Sequence, residues 1–522
     1  MITLKSFMSG NWQEGTGKPS VLVDPSTEEP IAESSTEGLD FAAAVRYARE
    51  VGGPALRKLT LGERAALLKA MSKALGAHRD ELLDMAMRNG GNTKSDAKFD
   101  VDGASGTLGA YAYFGKGLGD ARLMPDGDAV PLSRDGDWVG RHALVPKGGV
   151  AVLVNAFNFP AWGFGEKAAC ALLAGMPVIV KPATSTALVT WRMVEILDQA
   201  GILPEGSVQL VSGAPGDLLS HLGPQDVLAF TGSADTGLHL RSMQEILERN
   251  VTVNIEADSL NSAVLAPGVD PGSELYELFL KDVVRETTQK TGQKCTAVRR
   301  IFVPTDAVER VSADLVARLE EVVVGNTADP SVTMGPVTTA RQLRDNRAGI
   351  DALAAAGTLL LGGSEPIDGV GAPAGKGYYV RPTLVRFDSA RTASVVHERE
   401  VFGPVSSILP YDGTPEDAAE LVALGNGSLV ASAYGDDPEW LEGIVTRFAQ
   451  WNGRIYLGSS GVTKAALGSG LVMAGLLHGG PGRAGNGAEL GGLSGLRLYQ
   501  RRSAVQGDPA VLARIFGGRS DA

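Results

Sequence analysis

The chain predicts an α/β protein in which a doubly wound parallel sheet is followed by a second α/β region, with a small β arm set apart from both. Three patterns carry this. Short apolar runs alternate with helical stretches from Gly149 to Glu256, and a second alternation continues to about Gly470. Between Met124 and Pro146, Asp-Gly pairs separate short apolar segments. Continuous apolar strands separated by helices indicate βαβ units and a parallel sheet.

The elements follow in order. From Thr60 to Arg88, "TLGERAALLKAMSKALGAHRDELLDMAM" places apolar residues at three- and four-residue spacing behind a capping Thr60, which predicts a helix. The segment 124–146 reads as a hairpin-like arm. Then come strand "GVAVLVN", helix "AWGFGEKAACALLAG", strand "PVIVKP", helix "STALVTWRMVEILDQAG", strand "VQLV", helix "PGDLLSHL", strand "DVLAF", helix "SADTGLHLRSMQEILE" and strand "VTVNIE". Sheets of this kind bind ligands at the carboxyl ends of their strands. After Glu256 come helix "GSELYELFLKDVVRETTQK", strand "VRRIFVP" and further helices and strands. Residues 479–495, "GGPGRAGNGAELGGLSG", read as irregular backbone near a site or interface.

Composition limits the partners. The 522 residues hold 48 Lys and Arg against 60 Asp and Glu, a net charge of −12. That balance argues against nucleic acid or an anionic membrane as the main partner. Two cysteines form no disulfide framework and match no zinc-ligand spacing, so no metal site is expected. The N-terminus has no apolar signal core, and no window approaches a transmembrane length. The expected location is a reducing cytoplasm, where a free thiol survives.

Cys295 stands in "TGQKCTAVRR", a polar setting for a thiol. A free thiol is only slightly ionised at neutral pH, so a nucleophilic cysteine needs electropositive or donor-rich surroundings. The residues alone leave a nucleophile and an inert buried thiol both open. Cys170, among small apolar residues in "EKAACALLAG", reads as packing. "FTGSADTG" ends a strand and opens a helix. Gly232 permits close backbone approach there, and Ser233 is either a phosphate contact or an ordinary N-cap. Asn158 in "NAFNFP" is a candidate oxyanion donor or a turn asparagine. Glu256, at the end of an apolar strand, is either a half-buried general base with a raised pKa or a carboxylate facing solvent.

Taken together and in this order, "FNFP", "KPA", "FTGS", Glu256, "GQKC", "MGPV", "GYYVRPT", "EREVFGPV" and "GRAGNGAELGG" resemble the aldehyde dehydrogenase superfamily through nearly the whole chain. The resemblance implies an aldehyde dehydrogenase-like α/β fold with a Rossmann-type dinucleotide-binding domain over 1–123 and 147–256, an α/β catalytic domain over 257–478, and a small β oligomerisation arm and tail over 124–146 and 479–522. It implies that Cys295 attacks the aldehyde to give a thiohemiacetal and then a thioester. Asn158 would hold the oxyanion, and Glu256 would activate the hydrolytic water. Lys167 and Glu489 would relay protons. Lys181 would bind the adenosine ribose or its phosphate, and Ser233 the pyrophosphate, with Thr231 and Gly232 beside it. Glu400 and Phe402 would position the nicotinamide ribose and ring.

Two departures refine this. Many NAD-preferring members of the family carry glutamate where this chain has Thr184. A carboxylate there would repel a 2′-phosphate and threonine would not, so NADP is expected in preference to NAD. "EADSLN" places Ala257 and Asp258 where the family has two glycines. With "LLHGGPGRAG" and "RRSAVQGDP", it resembles a narrower branch that oxidises CoA-linked semialdehydes in the breakdown of aromatic compounds. The expected reaction is NADP-dependent, non-acylating oxidation of 3,4-dehydroadipyl-CoA semialdehyde by a stand-alone homodimer, since the chain ends without room for the hydratase domain of a bifunctional relative. A dehydrogenase of a small free aldehyde such as succinic semialdehyde, an acylating enzyme and an inactive binding relative are the alternatives.

Overall fold

A computed structural model describes residues 1–516; the end of the predicted tail, 517–522, lies outside the described residues. Two seven-stranded sheets organise the chain. The first contains β1 (Ser6–Met8), β2 (Asn11–Gln13), β3 (Ala151–Val154), β4 (Val178–Lys181), β5 (Val208–Leu210), β6 (Val227–Thr231) and β7 (Thr252–Glu256), in the spatial order β7-β6-β3-β4-β5-β1-β2. Strands β3 to β7 run parallel, and β1 and β2 form an antiparallel edge. After β1 and β2 the chain enters the parallel part at the central β3, winds outward through β4 and β5, then returns to lay β6 and β7 on the other side. The order reverses between β3 and β6, and the crevice at their carboxyl ends is where such sheets hold ligands.

The second sheet contains β8 (Ser262–Leu265), β9 (Arg300–Pro304), β10 (Thr358–Leu361), β11 (Thr383–Arg386), β12 (Val405–Tyr411), β13 (Ser428–Tyr434) and β14 (Asn452–Gly458), in the order β10-β11-β12-β9-β8-β13-β14. Only β10 runs antiparallel to its neighbour. Both sheets have helices on their faces, which is why strands such as "AVLV" and "VIVK" are almost wholly apolar and buried.

The helix Pro160–Ala174 is buried along nearly its whole length, matching its apolar character all round. Pro160 lies in its first turn, where a missing N–H disrupts nothing. The N–H groups of Ala161 and Trp162 donate to the Asp100 carboxylate at 3.3 and 2.7 Å.

Two predicted helices are divided. The stretch from Thr60 forms Leu61–Ala77, opened by a Thr60–Glu63 capping box, and Arg79–Gly90, with a break at His78. The break lets both pieces pack on the long helix Lys94–Lys116. The helix after Ser233 likewise divides at Met243 into Ala234–Ser242 and Gln244–Glu248.

In the predicted arm, Met124–Pro131 pairs antiparallel with Val139–Pro146, and Gln500–Gly507 from the tail adds a third strand. The glycine-rich stretch differs from expectation. It contains an antiparallel hairpin, Leu477–Gly480 with Gly487–Leu490. Its glycines serve close approach, because a Cβ on Gly487 would lie 2.2 Å from the Ile255 carbonyl oxygen. The hairpin therefore presses directly on the end of β7. Among the described residues no helix is long and apolar enough to cross a membrane.

Candidate active site

A cleft opens at the carboxyl ends of β3 and β6. Asn158, Lys167, Thr231, Glu256, Cys295 and His478 line it, under a collar of Phe99, Phe159 and Trp162. Phe99 meets Phe159 and Trp162 edge-on, at 5.7 and 5.2 Å between ring centres, a favourable aromatic arrangement.

Cys295 follows a tightly wound turn. Lys290, Thr291 and Gly292 have φ of 52°, 56° and 64°, the left-handed region that side chains rarely adopt. Such strain persists only where surroundings over-determine it. Here Thr291 Oγ1 donates to the Gly335 carbonyl at 2.9 Å, and Lys290 Nζ donates to Asn92 at 3.1 Å. Arg299 donates to the Gly292 carbonyl at 2.8 Å. A Cβ on Gly292 would strike the Gly403 carbonyl oxygen at 2.1 Å. Beyond the turn, Asn261 Nδ2 donates to the carbonyls of Cys295 and Ala297 at 2.7 and 2.9 Å. Asn158 Nδ2 donates to the Gln293 carbonyl at 2.9 Å, fixing the amide beside the Cys295 loop. A primary amide carries two N–H donors, so one remains for the cleft.

The lysine next to the thiol in sequence does not face it. Lys294 is buried and pairs with Glu286 and with Gln289 Oε1. The cation beside the sulfur is His478, which the motif reading did not single out. Its Nε2 aligns with Cys295 Sγ at 3.8 Å and lies 3.1 Å from Glu256 Oε2. The three ligating atoms lie within 4.8 Å of one another. Glu256 is fully buried rather than half-buried, and its charge state also differs from expectation. Burial alone would raise its carboxyl, but His478 and then Lys167 hold it down at about 2. Burial opposes a charged His478, yet Glu256 and Cys295 hold it well above the ordinary imidazole range. Burial and then the Glu256 charge push the Cys295 thiol up to about 11, with His478 pulling the other way.

His478 and Glu489 are cross-strand partners in the glycine-rich hairpin, so one turn of chain delivers both to the site. Lys167, projecting from the buried helix, lies 3.1 Å from both Glu166 and Glu489. Burial lifts the Glu489 carboxyl to about 7 against the pull of Lys167. Asn254 donates to its other oxygen at 3.1 Å. Cys170 is buried in the same helix, its thiol pushed up to about 12, as fits a packing residue.

Of the remaining predicted residues, Thr231 lines the cleft and the others surround it. Lys181 ends β4. Burial is what lowers it, to about 8, and no carboxylate among the described residues pairs with it. Thr184 is half-buried in the turn that follows. Thr231 Oγ1 is buried without a hydrogen-bond partner among the described residues. Gly232 N–H donates to the Glu256 carbonyl at 3.1 Å. Ser233 is exposed and caps the helix Ala234–Ser242, accepting from Thr236 N–H at 3.3 Å. Asp258 takes the N–H of Ala234 at 2.9 Å. Glu400 lies 3.6 Å from Arg299 and is lifted by burial to about 7. Phe402 faces Phe157 edge-on at 5.8 Å. A free buried cation and an orphaned hydroxyl at strand ends beside a topological switch point fit a dinucleotide phosphate.

Residues 12–503 match the sequence pattern of the aldehyde dehydrogenase family. The chain is 44% identical over 481 residues to 3,4-dehydroadipyl-CoA semialdehyde dehydrogenase of Aromatoleum evansii, spanning 92% of this chain and 93% of that one. It is 30% identical over 425 residues to alpha-ketoglutaric semialdehyde dehydrogenase of Bacillus subtilis, spanning 79% and 82%. Its fold resembles betaine aldehyde dehydrogenase from Staphylococcus aureus in complex with NAD+, at a TM-score of 0.84 and 22% identity over 97% of this chain and 95% of that one. An aldehyde dehydrogenase from Bacillus cereus, also an NAD+ complex, matches at 0.84 and 24% identity over 97% of each chain.

Proposed function

We propose, because this chain belongs to the aldehyde dehydrogenase family, that it oxidises a CoA-linked semialdehyde of the 3,4-dehydroadipyl-CoA type to the free acid, with NADP as the preferred acceptor. The observation that carries the chemistry is Cys295 beside Glu256 on the floor of one aromatic-collared cleft. The 44% identity to a dehydrogenase of that substrate supports the choice of aldehyde.

In this reading Cys295 adds to the aldehyde carbon, and the free N–H of Asn158 holds the oxyanion as it forms. The bound dinucleotide supplies the hydride acceptor. The resulting thioester on Cys295 separates oxidation from hydrolysis. Glu256 takes a proton from the hydrolytic water. Lys167 and Glu489, paired at the end of the cleft, pass protons outward. Lys181 and Thr184 hold the adenosine ribose and its 2′-phosphate. Thr231, Gly232 and Ser233 would hold the dinucleotide's pyrophosphate, and Glu400 and Phe402 would orient its nicotinamide side. The first sheet and its helices form the cofactor domain, and β8 to β14 the catalytic domain. The three-stranded arm joins two subunits into a homodimer. Two free thiols, Cys170 and Cys295, suit a cytoplasmic setting.

The deciding experiment is steady-state kinetics with the CoA-linked semialdehyde against succinic semialdehyde, with products identified by mass spectrometry. The CoA-linked substrate should show a kcat/KM at least about tenfold higher, because remote contacts raise transition-state binding. The product should be the free acid. Equal or reversed preference overturns the substrate assignment, and transfer of the acyl group to added CoA overturns the hydrolytic one.

Cofactor choice is tested separately. Thr184→Glu places a carboxylate beside the 2′-phosphate position and Lys181. The ratio of kcat/KM for NADP to that for NAD should fall by at least about tenfold, a like-charge effect over a short distance. An unchanged ratio would show that the ribose is held elsewhere.

A further inference from the structure

The catalytic reading leaves an electrostatic problem. A thiolate and a carboxylate face each other in a buried cleft, and two like charges so close cannot both ionise without a cation. In the structure that cation is neither Lys294, which is paired with Glu286, nor Lys167, which is shared between Glu166 and Glu489.

We propose that His478 is a catalytic residue: a fixed imidazolium between Cys295 and Glu256, against which one negative charge passes from carboxylate to sulfur while the thiol proton passes from sulfur to carboxylate. The proposal rests on the reading of Cys295 as nucleophile. Three observations carry it. One nitrogen, Nε2, faces both acids, at 3.8 Å from Sγ and 3.1 Å from Oε2. That carboxylate oxygen is buried and has no hydrogen-bond partner among the described residues, so its contact with the imidazole is one of charge. The hairpin pairing, His478 opposite Glu489, and its contact with β7 hold the imidazole in place. The other charged groups near the trio are Lys167 and Glu166 from the buried helix and Glu489 across the hairpin, which pair among themselves, and two buried guanidiniums that feel the Cys295 charge, Arg299, which lies against Glu400, and Arg454, which donates to the Leu471 and Ser469 carbonyls.

The proton count closes. At rest the trio holds imidazolium, carboxylate and thiol. Transfer of the thiol proton to Glu256 gives imidazolium, carboxylic acid and thiolate, with no change in net charge. The S–C bond then forms, and the negative charge moves to the oxyanion. Once the carbon has given up its hydride to the nicotinamide acceptor of the proposed reaction, the centre is a thioester and sulfur is neutral. The imidazolium again favours the ionised carboxyl, so Glu256 releases its proton outward and is free to accept one from water. When the thioester breaks, the departing thiolate meets the same imidazolium.

The test is alkylation of Cys295 by iodoacetamide, without aldehyde or cofactor, between about pH 6 and 9, with the modified cysteine located by mass spectrometry. His478→Gln should alkylate at least about tenfold more slowly than the unaltered protein below neutrality, the effect of one pKa unit. Glu256→Gln should also alkylate more slowly below neutrality, because the acceptor of the thiol proton is gone and, with it, the charge that keeps the buried imidazole protonated. Equal rates for His478→Gln and the unaltered protein across the range overturn the proposal. So does unchanged alkylation of Glu256→Gln across the range, which stands as a separate test if His478→Gln does not fold. Thermal melting and NADP binding report folding. Absence of aldehyde turnover in the unaltered protein would overturn only the reaction assigned above, since the alkylation readout is independent of it.

Discussion

Cys295→Ala is expected to cut kcat by about ten-thousandfold or more, the scale on which removal of a covalent nucleophile acts. NADP binding, followed by quenching of protein fluorescence, should stay within about twofold, because in the proposed reading Lys181, Thr184 and Thr231 hold the dinucleotide away from the sulfur. The substitution removes one atom from a tightly wound turn whose backbone is fixed elsewhere. Asn261 grips the carbonyl of residue 295, and Arg299 grips that of Gly292, with no use of the thiol. The loop should therefore keep its shape, and the melting temperature should move little. Adding substrate to the unaltered protein under slow turnover and digesting it should place the acyl adduct on Cys295. An adduct on Cys170, or near-normal turnover in Cys295→Ala, would end the nucleophile assignment.

Much of this site was legible in one dimension because its parts sit at strand ends. Asn158 follows β3, Lys181 ends β4, Thr231 ends β6 and Glu256 ends β7. An apolar run stopping at a polar residue marks such a position without any structure. The strand order that gathers these ends is not written in any one segment, but the alternation from Gly149 to Glu256 left few topologies to consider. What stayed hidden depends on contacts distant in sequence. His478 stands in "LLHGG", and nothing local says that the hairpin lies against β7 or that Glu489 is its cross-strand partner. Missing that cation also reversed the expected charge state of Glu256. Burial was read correctly as raising the carboxyl, but the opposing imidazole outweighs it. The glycine-rich tail misled for a related reason. Its glycines mark close packing of hairpin on strand, which composition cannot distinguish from a loop.

Glu256→Gln should separate the two halves of the reaction. Steady turnover is expected to fall by about a hundredfold or more, the usual contribution of a positioned general base, while a rapid burst of close to one NADPH per active site survives. Glutamine has nearly the shape of glutamate and keeps a polar contact to His478, but it can neither accept a proton from water nor compete with sulfur for the imidazolium. Acylation then draws on a less available thiolate but still outruns hydrolysis, and the thioester accumulates. Rapid mixing with excess substrate, followed by acid quench and mass spectrometry of the intact chain, should show Cys295 acylated for most of the time course. Unchanged steady turnover would remove Glu256 as the base. Loss of the burst together with steady turnover would place its main role before the thioester, and would mean that the charge on this carboxylate is needed to form the nucleophile as well as to free it.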